Sequence, residues 1–471
     1  MTTKTKKNPT FVDLTNHPKL QLFEVEPCLP EHCYQKKDGV LVKDSEGKYI
    51  EDLAEQEIRI ATIGNVDAGK STTIGVIKSQ EPDDGNGKSR KGVFRHQHEI
   101  DTGRTSDVGS QYLKYNNNLY SFSDLAGHEG YLRTTIYGLV SVPIDWNMLV
   151  VSANQGIEKM TREHLAITYS LNLSMFVVFT KVDMAPENVF NTNMDTLKKF
   201  VKKIKRVPVL ISNAQDLNKY YNNITAIDED GNKIKGVMDI ALSKKFVPIF
   251  TVSNVSMLNM DLLQTFIFNI RPHVDWTREQ QNENNVFVID KTYMPKGVGL
   301  VISGIVKHGS FKTGQSYMLG PFGSLEKAVF YPVTIRNIRD NTETDIPEVK
   351  AGFSACFNVT AKDKDMVTRA TIRKGMILSE QPASTKKFKA NIKILHHPTK
   401  ISVGYEPHLH CGGVKETMKI VDMDEEYIQA GKSTNAVLEF KTRRSYVEEG
   451  DKFIFREGNT RGSGTVLGLL E

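Results

Sequence analysis

Between an apolar run and a helix-forming segment stands Gly64-Asn65-Val66-Asp67-Ala68-Gly69-Lys70-Ser71, and no other stretch constrains the fold as tightly. It fits G-x-x-x-x-G-K-[ST], a loop whose backbone N–H groups surround phosphate oxygens. A glycine at each end lets the chain turn sharply and approach an anion with no Cβ in the way. The run Ile58–Ile63 reads as a buried strand entering the loop, and Ser71–Lys78 as a helix leaving it with its N-terminus toward the anion. Asn65, Val66, Asp67, Ala68, Gly69, Lys70, Ser71 and Thr72 are therefore expected around a nucleotide's phosphates. Lys70 would reach the β and γ oxygens, and the Ser71 hydroxyl would hold Mg²⁺.

A chain of 471 residues has room for about three domains at ~150 residues each. Its 39% hydrophobic and 25% charged residues are ordinary for a globular protein. No apolar run approaches the ~18 residues of a membrane span. Met1–Lys7 is polar and basic with no apolar stretch behind it, so no secretory signal is expected. Cys28, Cys33, Cys356 and Cys411 lack zinc-type spacing and are too few for a disulfide scaffold. The expectation is a cytoplasmic monomer with no membrane partner. A net charge of +5 permits a nucleic-acid partner without requiring one.

Residues 1–57 read as an extension, at best partly ordered. Over 58–280, apolar strands alternate with helical stretches, the pattern of a mainly parallel sheet with helices on both faces. Strands are expected at Leu119–Ser123, Met148–Val151, Phe176–Phe179, Val209–Ile211 and Ile249–Val252. Leu197, Phe200, Val201 and Ile204 fall at helical spacing on one face. A second helix, about 261–270, is apolar nearly all round. Past Arg271-Pro272 the texture changes to short β-branched or aromatic runs between glycine turns, the signature of antiparallel barrels. The polar segment Gln381–Lys387 breaks that region in two, so barrels are expected over 285–381 and 388–471.

Three later segments decide which nucleotide is meant. Asp124-Leu125-Ala126-Gly127 ends a strand and fits D-x-x-G, its carboxylate serving Mg²⁺ and its glycine N–H sensing the γ-phosphate. In Thr180-Lys181-Val182-Asp183 the last carboxylate can accept both N1–H and N2–H₂ of guanine, a donor pair that adenine lacks. Leaving that carboxylate unpaired would cost a few kcal/mol, a strong filter. Ser253-Asn254-Val255 follows the last strand, where a backbone N–H meets guanine O6. Four matches in order at strand ends point to GTP.

The strings Gly64–Thr72 and Asp124–Tyr131 resemble those of elongation factor Tu and its eukaryotic relatives. Phe94–Ser106, Ala153–Gly156 and Met160–His164 resemble the family of GTP-binding proteins 1 and 2 more closely. Gly404–His410 and Phe455–Gly458 resemble the third domain of those factors. The resemblance covers about 58–471 and implies a GTPase that acts in translation on the ribosome with an RNA ligand, tRNA foremost, and a possible exchange factor. It implies that Thr105 ligates Mg²⁺ in the switch and that His128 positions the attacking water, with Lys70 as the third catalytic group. The alternative for His128 is a packing or loop-capping role.

This chain departs from the pattern at three points. The guanine motif usually begins with asparagine, whose amide braces the loop and touches the base; here Thr180 offers one hydroxyl. Beside Val66, the gate of the water site has Arg104, either an arginine finger in cis or a residue facing solvent or RNA. Asp67 suggests a monovalent cation such as K⁺, or a turn aspartate. His96 and His98 lack a third metal ligand. Lys88–Lys91, in the same switch loop, and Lys441–Arg444 in the last barrel are basic runs with RNA contact or plain solvation as their two readings. Two other functions share the architecture: a ribosome-rescue or mRNA-decay adaptor whose barrels bind a protein, and a regulatory subunit of a metabolic enzyme such as the sulfate-activating adenylyltransferase.

Overall fold

The structure, a computed structural model, describes residues 10–37, 40–45, 48–51, 55–94, 109–128, 135, 138–458 and 460–470. They fall into two compact units, one within 1–138 and 144–274, the other within 139–143 and 275–471.

The first unit is built on an eight-stranded sheet. Its central strand, Gln56–Gly64, is buried along its whole length because it has parallel neighbours on both sides, Asn118–Asp124 and Trp146–Ser152. Ser174–Thr180, Phe246–Thr251 and Val207–Ile211 continue the parallel order beyond Trp146–Ser152. Gly109–Tyr115 runs antiparallel to its neighbour Asn118–Asp124. Such doubly covered strands read as continuous apolar runs, which is why the sequence exposes them. Alternate residues serve opposite faces. Ile58, Ile60, Phe122, Met148, Phe176 and Phe250 form one core with Ile74 and Ile77 of the helix Lys70–Ser79 and Phe266 of Met260–Asn269. On the other face Phe179 meets Phe190 of the helix Glu187–Lys203, edge to face at 5.5 Å. That helix buries Met194, Leu197 and Val201, in keeping with its apolar stripe.

The N-terminal stretch holds more structure than its composition suggests. Phe11–Asp13 pairs parallel with Tyr112–Lys114 and closes one edge of the sheet. Leu29-Pro30 pairs with Val237-Met238. Neither strand exceeds three residues, so neither leaves a periodic trace in the sequence.

The second unit contains two six-strand antiparallel rings. In the first, Val286–Tyr293, Val301–His308, Ser354–Ala361, Ala328–Asp340, Ser316–Gly323 and Ile377–Ser379 close on one another. Ser354–Ala361 alternates strictly between half-buried and buried positions, as a barrel strand must. Phe287 stacks on Phe357 at 4.2 Å inside it. The second ring runs Lys387–His396, Ser433–Phe440, Val414–Met423, His408–Cys411, Lys452–Glu457 and Thr460–Leu470. All four cysteines are free thiols. Among the described residues no helix is long and apolar enough to cross a membrane.

Candidate functional site

The chain leaves Gln56–Gly64, builds the strand on one side of it, and then crosses to the other side with Trp146–Ser152. Such a switch point opens a crevice at the carboxyl ends of parallel strands, where ligands bind. Four loops meet there: those after Gly64, Asp124, Thr180 and Thr251.

Gly64 takes φ +145°, and a Cβ on it would lie 2.2 Å from the Val150 carbonyl oxygen, so no larger residue fits. Its N–H donates to Nδ1 of His164, 3.2 Å away on the helix Lys159–Ser170. That imidazole is fully buried, and burial, with the Lys70 charge as a smaller cause, pushes its pKa down to about 3. It is neutral, and its proton sits on Nε2 because Nδ1 is accepting. Asn65 donates to Glu158. Asp67 is exposed at the loop tip with φ +58°. Val66 and Thr72 are half-buried and Ala68 is buried.

Lys70, buried, donates to the Asn65 carbonyl at 2.7 Å. Burial lowers its pKa, and the nearby Asp124 and Asp67 oppose that without overcoming it. An ammonium held this way gains from an incoming phosphate, which adds the negative charge that burial withholds. Ser71 donates to Asp124 at 2.6 Å, and Asp124 is 1% exposed. Gly127 closes on the loop from above: a Cβ there would sit 2.5 Å from Lys70 Nζ and 2.7 Å from the Val66 nitrogen. The two phosphate-side motifs, 53 or more residues apart in sequence, are thus in contact. His128 follows Gly127 and is exposed.

At the other end of the crevice Thr180 ends its strand fully buried, and its hydroxyl donates to the Ala68 carbonyl at 2.6 Å. Lys181 is half-buried with φ +58°, and Asp183 is exposed. Ser253, buried, accepts from the N–H groups of Val255 and Ser256 at 3.3 and 3.1 Å, which shapes the loop that carries Asn254 and Val255. Contacts thus bring the phosphate loop and its helix together with Asp124, Gly127, Thr180 and Asn254, while Lys181, Asp183 and Val255 lie on the loops that follow Thr180 and Thr251. Thr105, Arg104, His96 and His98 lie outside the described residues.

Two basic runs look different in three dimensions. Lys88–Lys91 forms a short helix. It is anchored by Asp83, which accepts from Gly85, Gly87 and Ser89, and by Asp84, which accepts from Lys88. In the last barrel Lys441 pairs with Glu406 at 2.5 Å, Arg443 with Glu416 at 3.0 Å, and Arg444 donates to the Leu325 carbonyl at 3.2 Å. That run is engaged within the protein. Sequence reading assigned no role to His164; a histidine on a buried helix face beside the first glycine is legible only from structure.

A domain with this crevice followed by two six-strand barrels defines a class, the three-domain GTPases. Residues 55–273 match the model of the "Elongation factor Tu GTP binding domain" and 381–470 that of the "Elongation factor Tu C-terminal domain". GTP-binding protein 1 of Xenopus laevis is 34% identical over 88% of this chain and 64% of its own length. GTP-binding protein 2 of Mus musculus is 31% identical over 87% of this chain and 69% of its own. Elongation factor 1-alpha of Sulfolobus acidocaldarius is 25% identical over 87% of this chain and 96% of its own. Among solved structures, translation elongation factor SelB from Methanococcus maripaludis, in complex with the GTP analogue GppNHp, superposes with a TM-score of 0.61 at 18% identity, covering 89% of this chain and 80% of that one. The chain belongs to the GTP-binding protein 1 and 2 family within the elongation factor Tu superfamily. It spans about two thirds of the length of those two relatives.

Proposed function

We propose that this protein is a translational GTPase: bound to GTP it engages RNA, tRNA foremost, and the ribosome, and ribosomal contact triggers hydrolysis to GDP. The observation that carries the GTPase half is the contact of phosphate and metal motifs, with Ser71 bonded to Asp124 and Gly127 packed on Lys70. The translational half is supported by the elongation factor 1-alpha relatives, which match over most of the chain.

The Ser71 hydroxyl and the Asp124 carboxylate, 2.6 Å apart, are hard oxygen donors of the kind Mg²⁺ takes. Thr105 completes that set by resemblance. Held there, Mg²⁺ would supply positive charge to offset that of the phosphates. The chain's own residues do the rest. Backbone N–H groups of 65–72 hold the phosphates, Lys70 stabilises the charge that develops on the γ-phosphoryl group, and His128 orients water. Asp183 reads the guanine edge. No observation favours a monovalent cation at Asp67, and the mechanism uses none. A cytoplasmic monomer, served by an exchange factor if release of GDP is slow, completes the reading.

The test has two arms. Equilibrium binding of fluorescent nucleotides should show GDP held and ADP not, and Asp183→Asn should move preference to xanthine, whose 2-oxo group accepts from an amide. Sedimentation with 80S ribosomes should carry down the GppNHp complex and leave the GDP complex behind. Equal affinity for ADP, or no nucleotide-dependent sedimentation, contradicts the corresponding arm.

A further inference from the structure

Thr180 stands where the guanine motif usually has asparagine, so an amide is missing beside the loop. The structure supplies one from elsewhere in the chain. Asn254 is 7% exposed and follows the strand Phe246–Thr251. Its Nδ2 donates to Thr73 Oγ1 at 3.1 Å, on the first turn of the helix that leaves the phosphate loop. Thr180 holds the same loop one residue before its second glycine, through the Ala68 carbonyl at 2.6 Å. Gly69 lies between them: a Cβ built there would be 3.5 Å from Thr180 Oγ1 and 3.6 Å from Asn254 Nδ2. The backbone carbonyl of Asn254 also accepts from Asp83 at 2.8 Å, which ties the same loop to the segment that precedes residue 88.

The Asn254 amide is only half used. Its Oδ1 is buried and has no hydrogen-bond partner among the described residues. An orphaned buried acceptor costs roughly 1–3 kcal/mol, and natural proteins keep few of them. A side chain packed there for shape alone would carry no such penalty. The orphan lies on the residue that flanks Gly69 opposite Thr180, where an asparagine at 180 would bring its own NH₂ group.

We infer that Thr180 and Asn254 together form a divided brace that replaces the single asparagine of the guanine motif. Thr180 fixes the loop before Gly69, and Asn254 fixes the helix after it and holds the base loop 253–255 to that helix. Both are positioning residues, and the inference rests on the nucleotide reading of the crevice. It goes further by assigning guanine affinity to a side chain that the motif does not contain. It also makes positions 180 and 254 interdependent. Restoring asparagine at 180 crowds Asn254 across Gly69, while removing the Asn254 amide leaves room and need for it.

The experiment is a double-mutant cycle on GDP binding and GDP release, with Thr180→Asn, Asn254→Ala and the pair, alongside the melting temperature of each protein without nucleotide. Loss of one hydrogen bond and its preorganisation predicts a rise of about tenfold in Kd for Asn254→Ala, carried mainly by faster release. Thr180→Asn alone is also expected to weaken binding, and the double variant to return within about threefold of wild type. A packing role predicts loss of melting temperature that tracks the loss of affinity, with no rescue. Single effects that add in the double variant, or an Asn254→Ala protein with wild-type GDP release, overturn the inference while leaving wild-type GDP binding intact. Wild-type protein that holds neither GDP nor GTP overturns the nucleotide reading itself, and the brace falls with it. If the alanine variant does not fold, Asn254→Ser, which keeps a short donor, takes its place in the same cycle.

Discussion

His164 gives the account a pH signature that can be worked out in advance. Its Nδ1 accepts the Gly64 N–H at 3.2 Å, so protonation would set two donors face to face beneath the phosphate loop. Burial first, and the charge of Lys70 second, depress its pKa from the ordinary 6.5 to about 3. In the unfolded chain the same imidazole takes up a proton as the pH falls through 6.5. A group depressed in the folded state contributes its full stability above its unfolded value and loses it progressively on acidification toward the folded value. At pH 5 the unfolded imidazole is about one and a half pH units below its ordinary value. At ~1.36 kcal/mol per unit this favours unfolding by about 2 kcal/mol. For a domain of this size that is a drop of roughly 4–8 °C in melting temperature. Calorimetry on the full protein at pH 7.5 and 5.0 measures it, taking the transition that GDP raises as that of the nucleotide domain. His164→Asn keeps an acceptor for the Gly64 N–H and does not titrate. Its cavity lowers stability at both pH values, but its change between them should be smaller than the wild type's by about 2 kcal/mol. Equal changes in the two proteins would refute the neutral, buried imidazole.

Three further perturbations have expected outcomes. Gly127→Ala would place a methyl 2.5 Å from Lys70 Nζ and 2.7 Å from loop backbone, so GTP affinity measured by titration calorimetry should fall at least tenfold; an unchanged Kd would show that the two motifs separate freely. Asp183→Asn should exchange guanine for xanthine preference without changing the melting profile, because the Asp183 side chain is exposed. In the second unit, His308 lies between Glu279 at 2.5 Å and Glu448 at 2.9 Å. Burial pulls its pKa down, but the hydrogen bonds and charge of those carboxylates outweigh that and raise it. A raised histidine stabilises the fold when protonated, so this contribution is complete below pH 6.5 and is lost as the pH rises through the folded value. The barrel transition should therefore weaken toward alkaline pH in wild type and not in His308→Gln.

The parts of this molecule that were readable in sequence are those where one local rule decides the outcome. Gly64 and Gly127 appear as motif glycines because each touches neighbouring atoms that a Cβ would strike. The central strands appear because burial on both faces gives each of them an apolar run. What escaped reading depends on partners distant in sequence. Phe11–Asp13 is a strand only because the edge at Tyr112–Lys114 lies free to pair with it. Lys88–Lys91 looked like open switch loop, since the aspartates that cap it sit in a glycine-rich turn with no helical period. Lys441–Arg444 stayed open between RNA contact and plain solvation because its partners Glu406, Glu416 and Leu325 are 27 to 119 residues away. Asn254 was assigned through its backbone, and the use of its side chain shows only once Thr73 and Gly69 are beside it.

The central claim is that ribosomal contact drives hydrolysis through His128. The measurement is single-turnover GTP hydrolysis with and without purified 80S ribosomes, for wild type and His128→Ala. The account predicts strong stimulation in wild type and its loss in the variant, with GDP affinity unchanged. Normal basal hydrolysis that ribosomes leave untouched, or stimulation that survives in His128→Ala, would contradict it.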